Sequence, residues 1–357
     1  MKIVVLAGGL SPERDVSLAS GKMIYSALKE RGHAVILLDV YLGYEVDTAA
    51  VSTKKPVDSA SLAALFSAAI DWAADITAVG DESPDIDVIR QKRDPALGYF
   101  GANVIALCQI ADVVFIALHG ENGEDGKIQA CFDLMGITYT GSGYLGSALA
   151  LDKALAKELF RHHSIPTPAS FSLTKGEAAP LTMPLPFPVI VKTNNGGSSV
   201  GVTIVGGEDG YAAALEEAFR YDDEVLVEEY ITGREFSVGI VAGKALPVME
   251  ISPLQGFFDY YNKYQPGATV ETCPALLSAD KTEELQALAE KVYAILRMES
   301  YARVDFMMNE DGQVFCIEGN TLPGMTPTSL LPQEAAAVGI DFASLCENII
   351  TEAMKKI

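Results

Sequence analysis

The sequence predicts an α/β protein with an N-terminal domain on a parallel sheet and a remainder built on antiparallel sheets. Three observations predict it. The chain opens βαβ: KIVVLA, then apolar residues at helical spacing, then a second apolar run over 33–40. The later runs EFSVGIVAG and ALPVMEIS suggest antiparallel strands joined by hairpin turns. At 357 residues, 49% hydrophobic and 21% charged, this is ordinary globular material for two or three domains.

Each element has its own warrant. Lys2–Ala7 is a β-rich core strand ending at Gly8-Gly9, and a helix over about 16–31 ends on Gly32. From 41 to 101 the period is lost and acidic and small residues dominate, so we read a surface elaboration with one or two helices. ADVVFIA (111–117) is a buried strand running into LHGENGEDG and a helix, and 137–140 is a short strand. GSGYLGSALALDKALAKELFRHHSIPTP reads as one helix closed by prolines, with His162 and His163 solvent-facing at its end. FPVIVK (187–192) is a strand followed by the loop TNNGGSSVG. VLVEEYI (225–231) is expected to share an antiparallel sheet with EFSVGIVAG and ALPVMEIS, and a helix over about 342–355 closes the chain.

Composition excludes several classes. A formal net charge of −22 argues against nonspecific binding to nucleic acid or an anionic membrane, yet allows an anionic small substrate held by local lysines. No apolar run reaches the ~18 residues of a membrane span. The opening MKIVVLAGG turns polar too soon for a signal peptide. Five scattered cysteines without CxxC spacing read as free thiols of a cytoplasmic protein.

The chemistry shows in YARVDFMMNEDGQVFCIEGNTLPG (301–324). With Asp311-Gly312 as a two-residue turn, Asp305 faces Glu318 and Arg303 faces Asn320, all on one face. Carboxylates directly opposite repel, which makes sense around a cation. Mg²⁺ takes oxygen ligands and often bridges carboxylates to nucleotide phosphates. The bland alternative is a solvated face with an Arg–Glu cross-strand pair. A metal–phosphate reading needs a cradle, and GxxxxGK[ST] is absent. GSGYLG (141–146) is formally GxGxxG, but about 20 residues on stand Arg161 and His162, no acid for a ribose, so an NAD site is set aside. The better cradle is Lys192 with the glycine- and serine-rich loop over 193–201.

Together, the strand ending in lysine, the GGSSVG loop, VLVEEYI and the carboxylate–carboxylate–Asn hairpin resemble the ATP-grasp family. GGLSPERDVSL, ALHGENGEDG, YTGSGYLGSALALDK, FFDYYNKY and EGNTLPGMTPTSL, in that order, resemble the D-alanine–D-alanine ligases within it. The resemblance implies a Rossmann-like domain over 1–141, then central (142–232) and C-terminal (233–357) ATP-grasp subdomains with a lid over 256–274. It implies that ATP phosphorylates one D-alanine, that a second attacks the acyl phosphate, and that D-alanyl-D-alanine leaves for peptidoglycan precursors. A homodimer joined through the N-terminal domain is also implied.

Residue roles carry over on the same footing. Asp305, Glu318 and Asn320 would hold two Mg²⁺ ions, Mn²⁺ being able to substitute. Arg303 and the Gly324 backbone would stabilise the tetrahedral oxyanion. Lys153 and Lys192 would contact ATP phosphates, Lys263 the γ-phosphate, Glu228 and the Ile231 backbone the adenine, and Glu235 the ribose. Glu13 would receive the first D-alanine's ammonium group and His119 its carboxylate. Ser198, also an ATP contact, would join Glu13 and Tyr264 in closing the lid, while Ser329 and Leu330 would receive the second substrate. The sequence departs from the family pattern at Glu229, at Asn195-Gly196 and at Pro327-Thr328. A D-alanine–D-serine ligase or another ATP-grasp carboxylate–amine ligase is the alternative. The apolar Leu330 and the pair Lys263-Tyr264 favour D-alanine. A nucleotide-binding protein without turnover would have lost Arg303, Asp305 or Glu318.

Overall fold

The computed structural model describes residues 1–44, 59–66, 79–80, 84–94, 96, 98–177, 183–197, 200–256, 258–265, 267–326 and 328–356. Among these no helix is long and apolar enough to cross a membrane.

The N-terminal part contains β1 (Lys2–Ala7), α1 (Arg14–Glu30), β2 (Ala34–Asp39), α2 (Ser59–Leu65), α3 (Ile86–Arg90), α4 (Val104–Ile110), β3 (Val113–Ile116) and α5 (Lys127–Met135). Its parallel sheet has the order β2-β1-β3, with Val5 level with Leu37 and Phe115. β1 is buried from Ile3 onward, which explains its unbroken apolar run. Gly21 lets α1 lie close, since a Cβ there would stand 2.7 Å from the Ala7 Cβ. The strand at 137–140 is reduced to a bridge between Val114 and Tyr139. The Thr140 hydroxyl, not a ladder carbonyl, accepts the Ile116 N–H.

The middle part comprises α6 (Tyr144–Leu151), α7 (Lys153–His162), β4 (Ser170–Thr174), β5 (Val189–Thr193), β6 (Thr203–Val205), α8 (Glu208–Ala218) and β7 (Glu224–Glu229). The single helix expected here is two. Asp152 leaves the helical region (ψ 94°), and its side chain accepts the Leu155 N–H at the start of α7. Asn194 locks the break, donating to Asp152 at 2.9 Å and accepting the Ala154 N–H at 2.8 Å. The break sets Lys153 at the start of α7 against the loop after β5.

A further correction concerns β7. It lies between β4 and β5 in a four-stranded antiparallel sheet, not beside the strands that follow it. Those strands, β8 (Gly233–Val241), β9 (Lys244–Ala245) and β10 (Met249–Pro253), enter a second sheet ordered β11-β10-β8-β12-β13, with β9 on β8. Completing this part are α9 (Tyr260–Tyr264), β11 (Thr269–Thr272), α10 (Ala279–Ile295), β12 (Tyr301–Asn309), β13 (Val314–Asn320), α11 (Leu330–Ala337) and α12 (Phe342–Met354). The segment read as a lid thus holds a short helix and a strand paired to β10.

Alternation along β12 fixes the function of each face. Ala302, Val304, Phe306 and Met308 pack into a core with Phe236, Val238 and Ile240 of β8 and Leu285, Ala289 and Val292 of α10. Arg303, Asp305 and Met307 face the other way, into the cleft. α12 packs beside α1, where Arg31 pairs with Asp341 (3.1 Å) and His33 with Glu347 (2.7 Å).

Candidate active site

The hairpin places Asp305 opposite Glu318 and Arg303 opposite Asn320, the pairing read from sequence, but by a different route. The tip is a three-residue loop: Asn309 N–H donates to Gln313 O at 3.0 Å. Unbroken, that register would set Asp305 against Ile317. A bulge between Asp305 and Phe306 slips β13 by one residue and restores acid opposite acid.

Repulsion between the acids is offset by cations on either side. Arg303 holds Asp305 in a fork, Nε and Nη2 each 2.8 Å from a carboxylate oxygen, and Asn320 Nδ2 donates to Asp305 at 3.0 Å. The guanidinium therefore pairs within its own strand rather than across to Glu318. Lys153 Nζ stands 3.7 Å from Glu318. Burial alone would raise the Glu318 carboxyl, but Lys153, then Lys192, Lys263 and Arg303, outweigh it and hold it down at about 2. Glu235, level with Met307 on β8, is pushed up to about 7 by burial and by the Asp305 charge. Two carboxylates and a carboxamide on one face form an oxygen donor set that fits a hard divalent cation.

The loop expected to cradle phosphate is tied down by Lys153. Its Nζ donates to Gly196 O at 2.5 Å and lies 3.5 Å from Asn194 O, tying α7 to the loop after β5. Glycine lets that loop lie close to its neighbours. A Cβ on Gly196 would stand 2.0 Å from Thr193 Oγ1, and one on Gly197 2.5 Å from Glu13 Oε2. Ser198 lies outside the described residues. Lys192 Nζ is 2.6 Å from Glu228 Oε1, and the buried Lys157 approaches the other oxygen at 2.8 Å. Both oxygens of the residue assigned to adenine are thus met by ammonium groups.

Opposite the cradle, the carboxyl ends of β1 and β3 bring together Glu13, His119 and Glu124. His119 Nδ1 is 2.9 Å from Leu322 O, so this nitrogen carries the proton and donates. Nε2, 3.2 Å from Ser20 Oγ, is then the acceptor. Burial lowers the His119 pKa, in keeping with a neutral ring. Both nitrogens are engaged, so taking a substrate carboxylate would mean giving up the Ser20 bond. Glu124 accepts N–H bonds from Gly120 (2.8 Å) and Leu322 (3.1 Å), and burial beside Glu13 pushes it up to about 8. Ser329 Oγ accepts the Thr326 N–H at 3.0 Å. Gly324 leaves room for that hydroxyl, since a Cβ would stand 2.7 Å from it. Leu330 is 5% exposed and packs with Met249, Ile251 and Phe258.

These residues line two adjoining cavities. One, of about 890 Å³, takes in Glu13, His119, Arg303, Asn320, Gly324, Ser329 and Leu330. The other, of about 1060 Å³, lies between the two antiparallel sheets and takes in Lys192, Glu228, Ile231, Glu235 and Asp305. Ile190, Val202, Ile204, Met307 and Ile317 give it apolar walls suited to a flat ring. Lys153, Gly196, Gly197, Phe258, Lys263 and Glu318 border both. Tyr264 ends α9 in the lid segment. Glu124, Glu271 and Lys157 received no role from the sequence. Glu124 lies in ALHGENGEDG among other acids, with nothing in the sequence to mark it as buried. Glu271 is half-buried and accepts from Gln333. Lys157 falls one helical turn after Lys153, and that spacing was its only signal.

Comparison with known proteins agrees along the chain. The family model "D-ala D-ala ligase N-terminus" matches residues 2–142 and "D-ala D-ala ligase C-terminus" matches residues 163–351. The D-alanine–D-alanine ligase of Pediococcus pentosaceus is 42% identical over 356 residues, covering 99% of this chain and 98% of that one. That of Lacticaseibacillus casei is 40% identical, covering 99% and 96%. The crystal structure of D-alanine–D-alanine ligase from Bacillus anthracis complexed with ATP is similar at a TM-score of 0.74 and 29% identity, covering 100% of this chain and 98% of that one.

Proposed function

The chain belongs to the D-alanine–D-alanine ligase family, and from that membership we propose that it joins two D-alanines into D-alanyl-D-alanine using ATP. One observation carries the reading. A cavity with apolar walls and a more polar one meet at two lysines, an acid, Phe258 and two loop glycines. A nucleotide in the first would direct its phosphates at a carboxylate in the second.

The residues divide the work accordingly. The apolar cavity takes the adenine, with the Ile231 backbone and Glu228 at its edge and Glu235 at the ribose. Lys192, Lys153 and Lys263 neutralise phosphates, Lys263 at the transferred group. Glu13 receives the first D-alanine's ammonium group, and His119 orders the adjoining 322–325 segment as well as facing that substrate. Phosphorylation activates the carboxylate as an acyl phosphate, and the second D-alanine, seated by Ser329 and Leu330, attacks it. Arg303 and the Gly324 N–H then stabilise the oxyanion. Asp305, Glu318 and Asn320 would hold Mg²⁺, two ions or Mn²⁺ in their place, and the metal would supply neutralisation of phosphate charge. Ser198 and Tyr264, with Glu13, close the lid and keep water from the intermediate. A buried apolar Leu330 suits a methyl side chain in the second substrate.

We place this activity in the cytoplasm, where its free cysteines persist, in the supply of peptidoglycan precursors. A homodimer through the N-terminal part is supported by the exposed Leu134 (91%) and Met135 at the end of α5, and light scattering tests it. The function itself is tested by phosphate release with MgATP and D-alanine alone, or with D-serine or D-lactate added, the products identified by mass. Dipeptide from D-alanine alone is expected. No phosphate and no dipeptide would refute it.

A further inference from the structure

Lys157 borders neither cavity, yet it is bound to the machinery of one. It is 0% exposed on α7. Its Nζ lies 2.8 Å from Glu228 Oε2 and donates to Thr167 Oγ1 at 2.8 Å. Thr167 in turn donates to the Cys316 carbonyl of β13 at 2.8 Å. The amine is therefore anchored from both walls of the nucleotide cleft. Across the same carboxylate, Lys192 Nζ is 2.6 Å from Oε1 and borders the cavity.

The charge count gives this arrangement its meaning. Two ammonium groups share one carboxylate, so the cluster carries one net positive charge where a polyanion is to bind. With Glu228 served by Lys192 alone, the pair would be neutral. Lys192 would also be held against Glu228, because a buried carboxylate does not give up its last partner.

We propose that Lys157 is a positioning residue for nucleotide binding, satisfying Glu228 so that Lys192 can turn its charge to the phosphates. The inference rests on the reading of Lys192 as a phosphate contact. If Lys157 were only a core staple, removing it would lower stability without singling out ATP, and its removal would matter equally with and without Glu228.

The test measures ATP binding by calorimetry, alongside KM for ATP and for D-alanine, in Lys157→Met, Lys157→Arg and the double variant Lys157→Met with Glu228→Gln. Lys157→Met should weaken ATP about tenfold while KM for D-alanine stays near the wild-type value. Lys157→Arg should retain affinity. The double variant should bind ATP as Glu228→Gln alone does, since Lys192 is free of the carboxylate in both. Unchanged ATP affinity in Lys157→Met overturns the proposal, and so does a double variant tenfold weaker than Glu228→Gln. If Lys157→Met alone does not fold, Glu228→Gln is compared with the double variant. With no carboxylate to compete for Lys192 the two should bind ATP equally, and a tenfold gap overturns the proposal. Lys192→Met separates the premise: normal ATP binding there would remove the phosphate role of Lys192 itself.

Discussion

Glu334→Gln should make the protein progressively more stable than wild type as pH rises. Glu334 is fully buried on α11, where it accepts the Gly239 N–H of β8. The neighbouring Ser237 hydroxyl faces the same carboxyl. Burial pushes the carboxyl from its ordinary 4.5 up to about 7. The folded state therefore holds a proton that the unfolded chain releases above about 4.5, so stability falls between about 4.5 and about 7 and then levels off. At about 1.4 kcal/mol per pH unit, the loss totals about 3 kcal/mol, of which about 1 kcal/mol is already spent at pH 5. Glutamine has no such titration, keeps an acceptor for Gly239 and offers N–H to Ser237. Urea unfolding of both proteins from pH 5 to pH 8 should show the stability difference moving toward the variant by about 2 kcal/mol. A difference that stays flat, or moves toward wild type, would refute the reasoning.

Asp305→Asn breaks the Arg303 fork in a site where both side chains are under one-fifth exposed. It should cost about 2–4 kcal/mol in urea unfolding and abolish measurable ligation. In Gly197→Ala the new methyl meets Glu13, so KM for D-alanine should rise about tenfold while KM for ATP moves less, as initial rates would show. Glu124, at about 8, is neutral below that pH and ionises beside Glu13 above it. Wild-type turnover should therefore fall above about pH 8, and Glu124→Gln should carry the plateau to higher pH in a pH–rate profile.

What was legible in the sequence was what periodicity and short spacing encode. β1, α1 and β2 followed from their apolar spacing, whereas the Asp305–Glu318 pairing was read from a two-residue turn that is absent, and a three-residue loop with a bulge produces it instead. Sheet membership was not legible. VLVEEYI and EFSVGIVAG are neighbours in the chain, and nothing in either run says that residues 230–232 carry the backbone from one sheet to the next. The break at Asp152 was hidden because DKALAKEL continues a helical pattern; its cause is Asn194, more than forty residues on. Glu124 and Lys157 were missed for a related reason. A buried charge is recognised by its partners, and theirs come from distant parts of the chain.

The bulge in β13 has a consequence beyond register. A regular strand deals its residues alternately to two sides, so a ligand meets every second one. Here the burial sequence runs Cys316 buried, Ile317 and Glu318 both half-buried, Gly319 buried, and Ile317 and Glu318 border the same cavity. A nucleotide bound there would meet consecutive letters: an apolar one at its ring and an acidic one at its phosphate end. Deleting Ile317 would leave Asp305 facing Glu318 in an unbroken ladder while removing the ring contact. On the proposed reading, recognition of the base and handling of its charge would be written in adjacent codons.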